Sequence, residues 1–159
     1  MNKLSSSDSL LPPDEVTDLA GYENDFVLWI DQQVELLRAR KFDQLDLDNL
    51  IDEMDAMGGS QRRELGSRLE VLIMQMLKCL FQPEKKSRSW LGTISAQRSE
   101  LQSLFEQSPS LRGAAAPRIQ RAYGSAAHRA SVETGLPEST FPSENPYSIE
   151  QLLDPRFFP

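Results

Sequence analysis

The sequence predicts an all-α fold: a helical bundle of four or five main helices with a short C-terminal helix. Three observations predict it. Beyond residue 21, apolar residues recur at intervals of three and four, the spacing of one helix face. No run alternates with period two, as a half-buried strand would. The breaks between periodic segments are helix stops, among them Gly135-Leu136-Pro137 and Asp154-Pro155.

Residues 1–20 contain Ser5-Ser6-Ser7 and Pro12-Pro13 without sustained period, and are expected to be a flexible tail ahead of a single helical domain over 21–159. The first helix starts near Tyr22. Phe26, Ile30, Val34 and Leu37 form its stripe, widened by Val27 and Trp29, with Asn24 or Glu23 as cap. Arg38, Arg40 and Lys41 complement its C-terminal dipole. After Phe42-Asp43-Gln44-Leu45, Asp46 caps a second helix whose stripe is Leu47, Leu50, Ile51, Met54 and Met57. Gly58-Gly59 is expected to end or bend it.

Ser60 then caps a third helix running to Gln82, before Pro83. Leu65, Leu69, Leu72, Met76 and Cys79 repeat at coiled-coil spacing, and the segment from Leu69 to Phe81 is apolar nearly all round, as a central core helix is. Val71 and Met74 fall on its other side, where a second helix or a partner subunit would cover them. Ser87 or Ser89 caps the fourth helix, whose stripe is Leu91, Ile94, Arg98, Leu101 and Phe105. A fifth helical stretch, about 111–133, carries the small-residue row Ile119, Ala122, Tyr123, Ala126, Ala127 and Ala130. Pro117 kinks it or starts its longer half. Ser148 and Gln151 have capping-box spacing for the last short helix, and Phe157-Phe158-Pro159 is expected to pin the terminus to the core.

Composition narrows the function. At 159 residues the chain has the length of one domain, at roughly 100–200 residues per domain. One cysteine, Cys79, excludes an intrachain disulfide and suits a reducing, cytoplasmic setting. One histidine, His128, excludes an HExxH zinc site, and one Cys with one His cannot build a structural zinc site. Neither GxxxxGK[ST] nor GxGxxG occurs, and no cofactor or metal is expected. No segment matches a secretory signal or a spanning helix of about 20 apolar residues.

The net charge of −7 conceals a division: residues 1–60 carry −10, residues 61–135 carry +6 and residues 136–159 carry −3. Neutralisation between the two halves is the simplest account. The functional alternative is an anion or partner patch at Arg62, Arg63, Lys85, Lys86 and Arg88. A helix-turn-helix around Gly58-Gly59 is disfavoured, because its second helix lacks an exposed face beyond Leu69. An EF-hand loop from Asp46 fails, with Leu50 and Ile51 where a ligand and a glycine belong. Glu53, Arg68 and Arg98 border or occupy apolar stripes on three helices, so a buried ion-pair cluster between them is expected, in a structural role. His128 is expected to be exposed and idle, and Cys79 buried and inert.

Beyond single residues, the chain resembles the domain of unknown function 29 family. The resemblance is carried by Gly58-Gly59-Ser60-Gln61-Arg62-Arg63-Glu64-Leu65, Ser67-Arg68-Leu69, Leu77-Lys78, Gln82-Pro83, Ser89-Trp90, Thr93-Ile94 and Gln97-Arg98. It continues in Ser108-Pro109-Ser110-Leu111, Glu133-Thr134-Gly135-Leu136, Asn145-Pro146-Tyr147 and the Asp154-to-Pro159 end, covering about residues 22–159. It implies a small helical bacterial protein and no established activity. Gln75 stands where relatives often have histidine, which puts a metal or acid–base role there in doubt. Pro117 also departs from the family's uninterrupted helix.

The expected function is therefore a cytosolic protein-interaction or regulatory module without catalysis, its partner a protein, with a second copy joined through Val71 and Met74 as one candidate. The alternative is an anion or nucleic-acid binder using segment 61–135. A carboxylate/arginine enzyme ranks below both. No membrane partner is expected.

Overall fold

The computed structural model describes residues 21–159, so the expected tail over 1–20 lies outside the described residues. The fold is all-α. Its helices are α1 (Phe26–Arg38), α2 (Leu47–Phe81), α3 (Arg88–Gln107), α4 (Ser110–Gly113), α5 (Ala115–Thr134) and α6 (Ile149–Leu153), with single 3₁₀ turns at Phe42–Gln44, Pro83–Lys85 and Glu138–Thr140. No strand occurs among the described residues. The chain divides into two compact units at Ala56/Met57, and α2 contributes to both.

In the first unit, α1 is capped by Asp25, whose carboxylate accepts from Leu28 N at 2.9 Å, rather than by the expected Asn24 or Glu23. It ends in a Schellman motif: Lys41 N donates to Leu36 O and Arg40 N to Leu37 O, with Arg40 at φ 57° in the position that glycine usually takes. The buried side of α1 differs from the expected stripe. Trp29 and Gln33 are buried, while Phe26 and Leu37 stay exposed. The reason is polar. Trp29 Nε1 donates to Asp46 Oδ2 at 3.0 Å, and Gln33 Oε1 accepts from Asp46 N at 2.8 Å, which turns both side chains toward the start of α2. Asp46 is the expected cap, accepting from Asn49 N.

The largest departure is at Gly58-Gly59. Both lie inside the 35-residue helix α2, and so does Ser60, so the expected second and third helices are one. Two helix-interior glycines cost about 1 kcal/mol each relative to alanine, too little to interrupt a ladder that extends on both sides. They leave room instead. A Cβ on Gly58 would lie 3.6 Å from Arg62 Nη1, and one on Gly59 would lie 3.1 Å from Arg63 Nη1, so each arginine folds back over the glycine one turn earlier.

The second unit is built on the rest of α2. Leu65, Leu69, Leu72, Ile73, Met76 and Leu77 are fully buried against Ile94 and Leu101 of α3 and Ala115, Ala126 and Ala130 of α5. Each buried leucine contributes about 1.5–3 kcal/mol. Polar ties fix the directions. Gln61–Ser108 and Arg68–Glu100 run in opposite order along the two chains, so α3 is antiparallel to α2. Arg62–Arg118, Glu70–Arg129 and Lys78–Glu133 run in the same order, so α5 is parallel to α2. The expected α3 stripe holds, with Ile94, Arg98, Leu101 and Phe105 buried and Ser87 as the cap. Pro117 sits in the first turn of α5, where the missing N–H costs nothing. Gly135 ends α5 at φ 74°. The capping box of α6 is present, with Ser148 N donating to Gln151 Oε1 and Gln151 N to Ser148 Oγ.

Candidate functional site

The expected cluster of Glu53, Arg68 and Arg98 resolves into three separate sets of partners. Glu53 accepts a 2.6 Å hydrogen bond from Tyr22 Oη. Its proximity holds the Tyr22 phenol above its ordinary pKa, chiefly through that hydrogen bond. Arg68 lies about four turns further along the same unbroken helix, in the second unit. It pairs with Glu64 on its own helix and reaches Glu100 at 3.4 Å. The continuity of α2 is what separates the two.

Arg98 is buried, 5% exposed, and its guanidinium is satisfied mainly by backbone. Nε donates to Leu152 O at 2.7 Å, and Nη2 donates to Gln151 O at 3.1 Å and Phe157 O at 2.7 Å. Leu152 and Gln151 are in the last turn of α6, whose carbonyls have no intrahelical donor. Arg98 therefore replaces the expected carboxylate partner with the end of a helix, and it stacks 5.2 Å from the ring of Phe158. Burial pushes its pKa below the usual arginine value, and nearby Asp154 opposes that shift. Nη1 is buried without a partner. A hollow of about 410 Å³ beside it is lined by Arg98, Arg112, Phe105, Glu106 and Leu153 among others.

The expected basic patch is two patches. Arg62 and Arg63 are exposed near the start of the second unit. The helix from Arg63 to Phe81 is about 27 Å long, and Lys85, Lys86 and Arg88 lie beyond its end. Lys86 is engaged there, donating to Pro159 O at 2.7 Å. Arg63 instead joins two arginines of α5. Arg63, Gly66, Ser67 and Glu70 of α2 face Arg118, Arg121 and Ala122 of α5 across a groove of about 330 Å³. Arg118 is fixed by a 3.2 Å hydrogen bond from Nη1 to Arg62 O. Its Nε is buried without a partner. The groove's single carboxylate, Glu70, is taken by Arg129 at 2.9 Å.

Other expected residues are placed as follows. Cys79 is buried, and burial pushes its thiol pKa up, partly opposed by Lys86 and Lys78. His128 is exposed, but Glu138 lies 3.5 Å from its Nδ1, an acid the spacing did not suggest. Met74 is 2% exposed and part of the core, and Val71 is partly buried against that core. Gln75 is buried with Oε1 unpartnered. Among the described residues no three His, Cys, Asp or Glu side chains gather into a metal site. No described helix is long and apolar enough to cross a membrane.

Sequence reasoning missed Arg118 and Arg121, whose only signal was their i, i+3 spacing in a basic segment. It also missed Lys78, buried inside an apolar run and ion-paired to Glu133 at 2.6 Å.

No curated protein and no solved structure matches the chain. The family model described as Domain of unknown function DUF29 matches residues 21–158. With that match spanning nearly all of its length, the chain belongs to the family described as Domain of unknown function DUF29.

Proposed function

We propose that this protein is a non-catalytic interaction module whose partner is a protein presenting a basic amphipathic helix. One observation carries the reading. Leu47, Ile51 and Met54 form a row on α2 that is exposed along its length, with Ile51 at 55% and Met54 at 64%. Asp48, Asp52 and Asp55 follow one position behind each and are exposed as well. Phe26, Val27 and Phe42 add exposed apolar surface around α1. An apolar seam spaced four and three and bordered by charge is the pattern by which helices choose a helical partner. Two copies of so acidic a seam repel each other, which favours a basic partner over self-pairing. A cytoplasmic setting is part of the same reading, supported by Cys79 as a buried free thiol.

The test is fluorescence anisotropy with a labelled helical peptide of alternating lysine and leucine turns. The native chain should bind it, weakening as salt rises, and Ile51→Glu with Met54→Glu should lower affinity about tenfold or more. Equal binding by the double variant counts against the seam. Concentration-dependent dimers in sedimentation velocity would make a second copy the occupant.

A further inference from the structure

We infer that the groove between α2 and α5 is a binding site for a compact phosphate-class anion, a phosphate ester or diphosphate. The inference does not depend on the acidic seam of α2.

The groove is lined by three guanidinium-bearing side chains, Arg63, Arg118 and Arg121, and one carboxylate, Glu70. Glu70 is held by Arg129, so it neutralises none of the three. Arg63 and Arg121 have no hydrogen-bond or ion-pair partner among the described residues. Arg118 is anchored by Nη1 on Arg62 O, while its Nε is buried and unpaired. Like charges gathered on one concave surface repel one another, and a bound anion relieves that repulsion.

Local sequence builds the cluster. Arg63 and Ser67 lie one turn apart on α2, and Arg118 and Arg121 one turn apart on α5. Ala122, from the small-residue row of α5, and Gly66 of α2 also line the groove. Gly59 leaves the space into which Arg63 folds.

Charge and size select the ligand. A carboxylate brings one negative charge to three cations, whereas a phosphate ester carries about −1.5 to −2 and three acceptor oxygens. Guanidinium forks match those oxygens in pairs. A volume of about 330 Å³ is at the small end for ligand sites and suits a compact anion. A long nucleic acid is disfavoured, because the chain carries −7 overall and −10 over residues 1–60.

The test is isothermal titration calorimetry of the full chain at low salt with pyrophosphate. Inorganic phosphate and single-stranded oligonucleotides of two lengths form parallel arms. Arg63→Glu with Arg121→Glu should weaken pyrophosphate about tenfold or more. Lys85→Glu with Arg88→Glu makes the same change in net charge beyond the far end of α2 and should leave affinity unchanged. Arg63→Gln with Arg121→Gln serves as a milder pair, and a thermal melt of each variant verifies folding. Equal losses in the groove and control pairs would reduce the effect to a general field and overturn the site. So would the absence of pyrophosphate binding. Oligonucleotide affinity that grows with length, without competition by pyrophosphate, would overturn it in favour of a nucleic-acid surface.

Discussion

Lys78 Nζ lies 2.6 Å from Glu133 Oε2 and 4.4 Å from the ring centroid of Trp90, joining parallel helices α2 and α5 at a buried point. The two ends of the pair are unequal. The Lys78 side chain is 7% exposed and that of Glu133 is 39% exposed. Removing the acid strands a buried ammonium, whereas removing the ammonium leaves a carboxylate that water can reach. Glu133→Ala should therefore cost about 1–2 kcal/mol, less than a fully buried pair because water screens the acid. Lys78→Met should cost less than about 1 kcal/mol, its volume kept and no charge left behind. Urea midpoints of the two variants decide it, and the reverse order would mean that the Trp90 contact outweighs the ion pair.

Arg98 ties α3 to the chain end through the carbonyls of Gln151, Leu152 and Phe157. A lysine there cannot fork to separated acceptors, since its ammonium is a single point. Arg98→Lys should destabilise the fold by about 2–3 kcal/mol, the loss of charged hydrogen bonds at a buried site. The segment from Ile149 onward should also become cleavable by protease before the rest of the chain unfolds. Cleavage rates unchanged from those of the native chain would mean that apolar contacts such as Tyr147 with Phe157 hold the segment alone.

Features set by neighbours in the chain were legible in the sequence. Ser148 with Gln151, Pro117, Gly135 and the Ile94–Arg98–Leu101–Phe105 stripe act through contacts within one or two turns, and spacing exposes such contacts. Gly58-Gly59 misleads because the propensity penalty is real but small beside a helix that the core holds from Leu65 onward. The partners of Arg98 were illegible for another reason: they are backbone carbonyls more than fifty positions away, and a carbonyl has no side-chain signature. The groove shares that difficulty. Arg63 was visible as part of a basic segment, but pairing it with Arg118 and Arg121 required the parallel packing of α2 on α5. Gln33 was passed over, and Trp29 was placed only at the margin of the stripe, because their burial follows hydrogen bonds to Asp46 rather than hydropathy.

Asp46 gives the first unit a pH dependence. Its carboxylate accepts from the Asn49 side chain, the main cause of a pKa held below the ordinary 3.8, with Trp29 Nε1 and Asn49 N adding to it and burial opposing. A depressed folded pKa means that the unfolded chain binds more protons near that pH. The stabilisation is complete above about pH 3.8 and is lost as pH falls through the lower folded value. In a Trp90→Phe background, where Trp29 is the one tryptophan left, its fluorescence should report loosening of the α1–α2 hairpin below pH 3.8. Asp46→Asn should abolish that acid step. An acid step that survives in the variant would assign the transition to another carboxylate.

Gly58 and Gly59 allow a direct test of whether α2 needs glycine at these two positions. In a straight helix interior, alanine is better than glycine by about 1 kcal/mol, partly because glycine frees the unfolded chain. At Gly58 the new Cβ would sit 3.6 Å from Arg62 Nη1, an ordinary contact. Gly58→Ala should therefore stabilise by nearly the full amount. At Gly59 the Cβ would come within 3.1 Å of Arg63 Nη1, so the guanidinium must give by a few tenths of an ångström. It is the free end of a flexible side chain, so Gly59→Ala should still stabilise, though by less, and should shift Arg63 within the groove. Circular dichroism melts read the first effect, and pyrophosphate affinity reads the second. A double variant that melts below the native chain would show that α2 needs the glycines to bend.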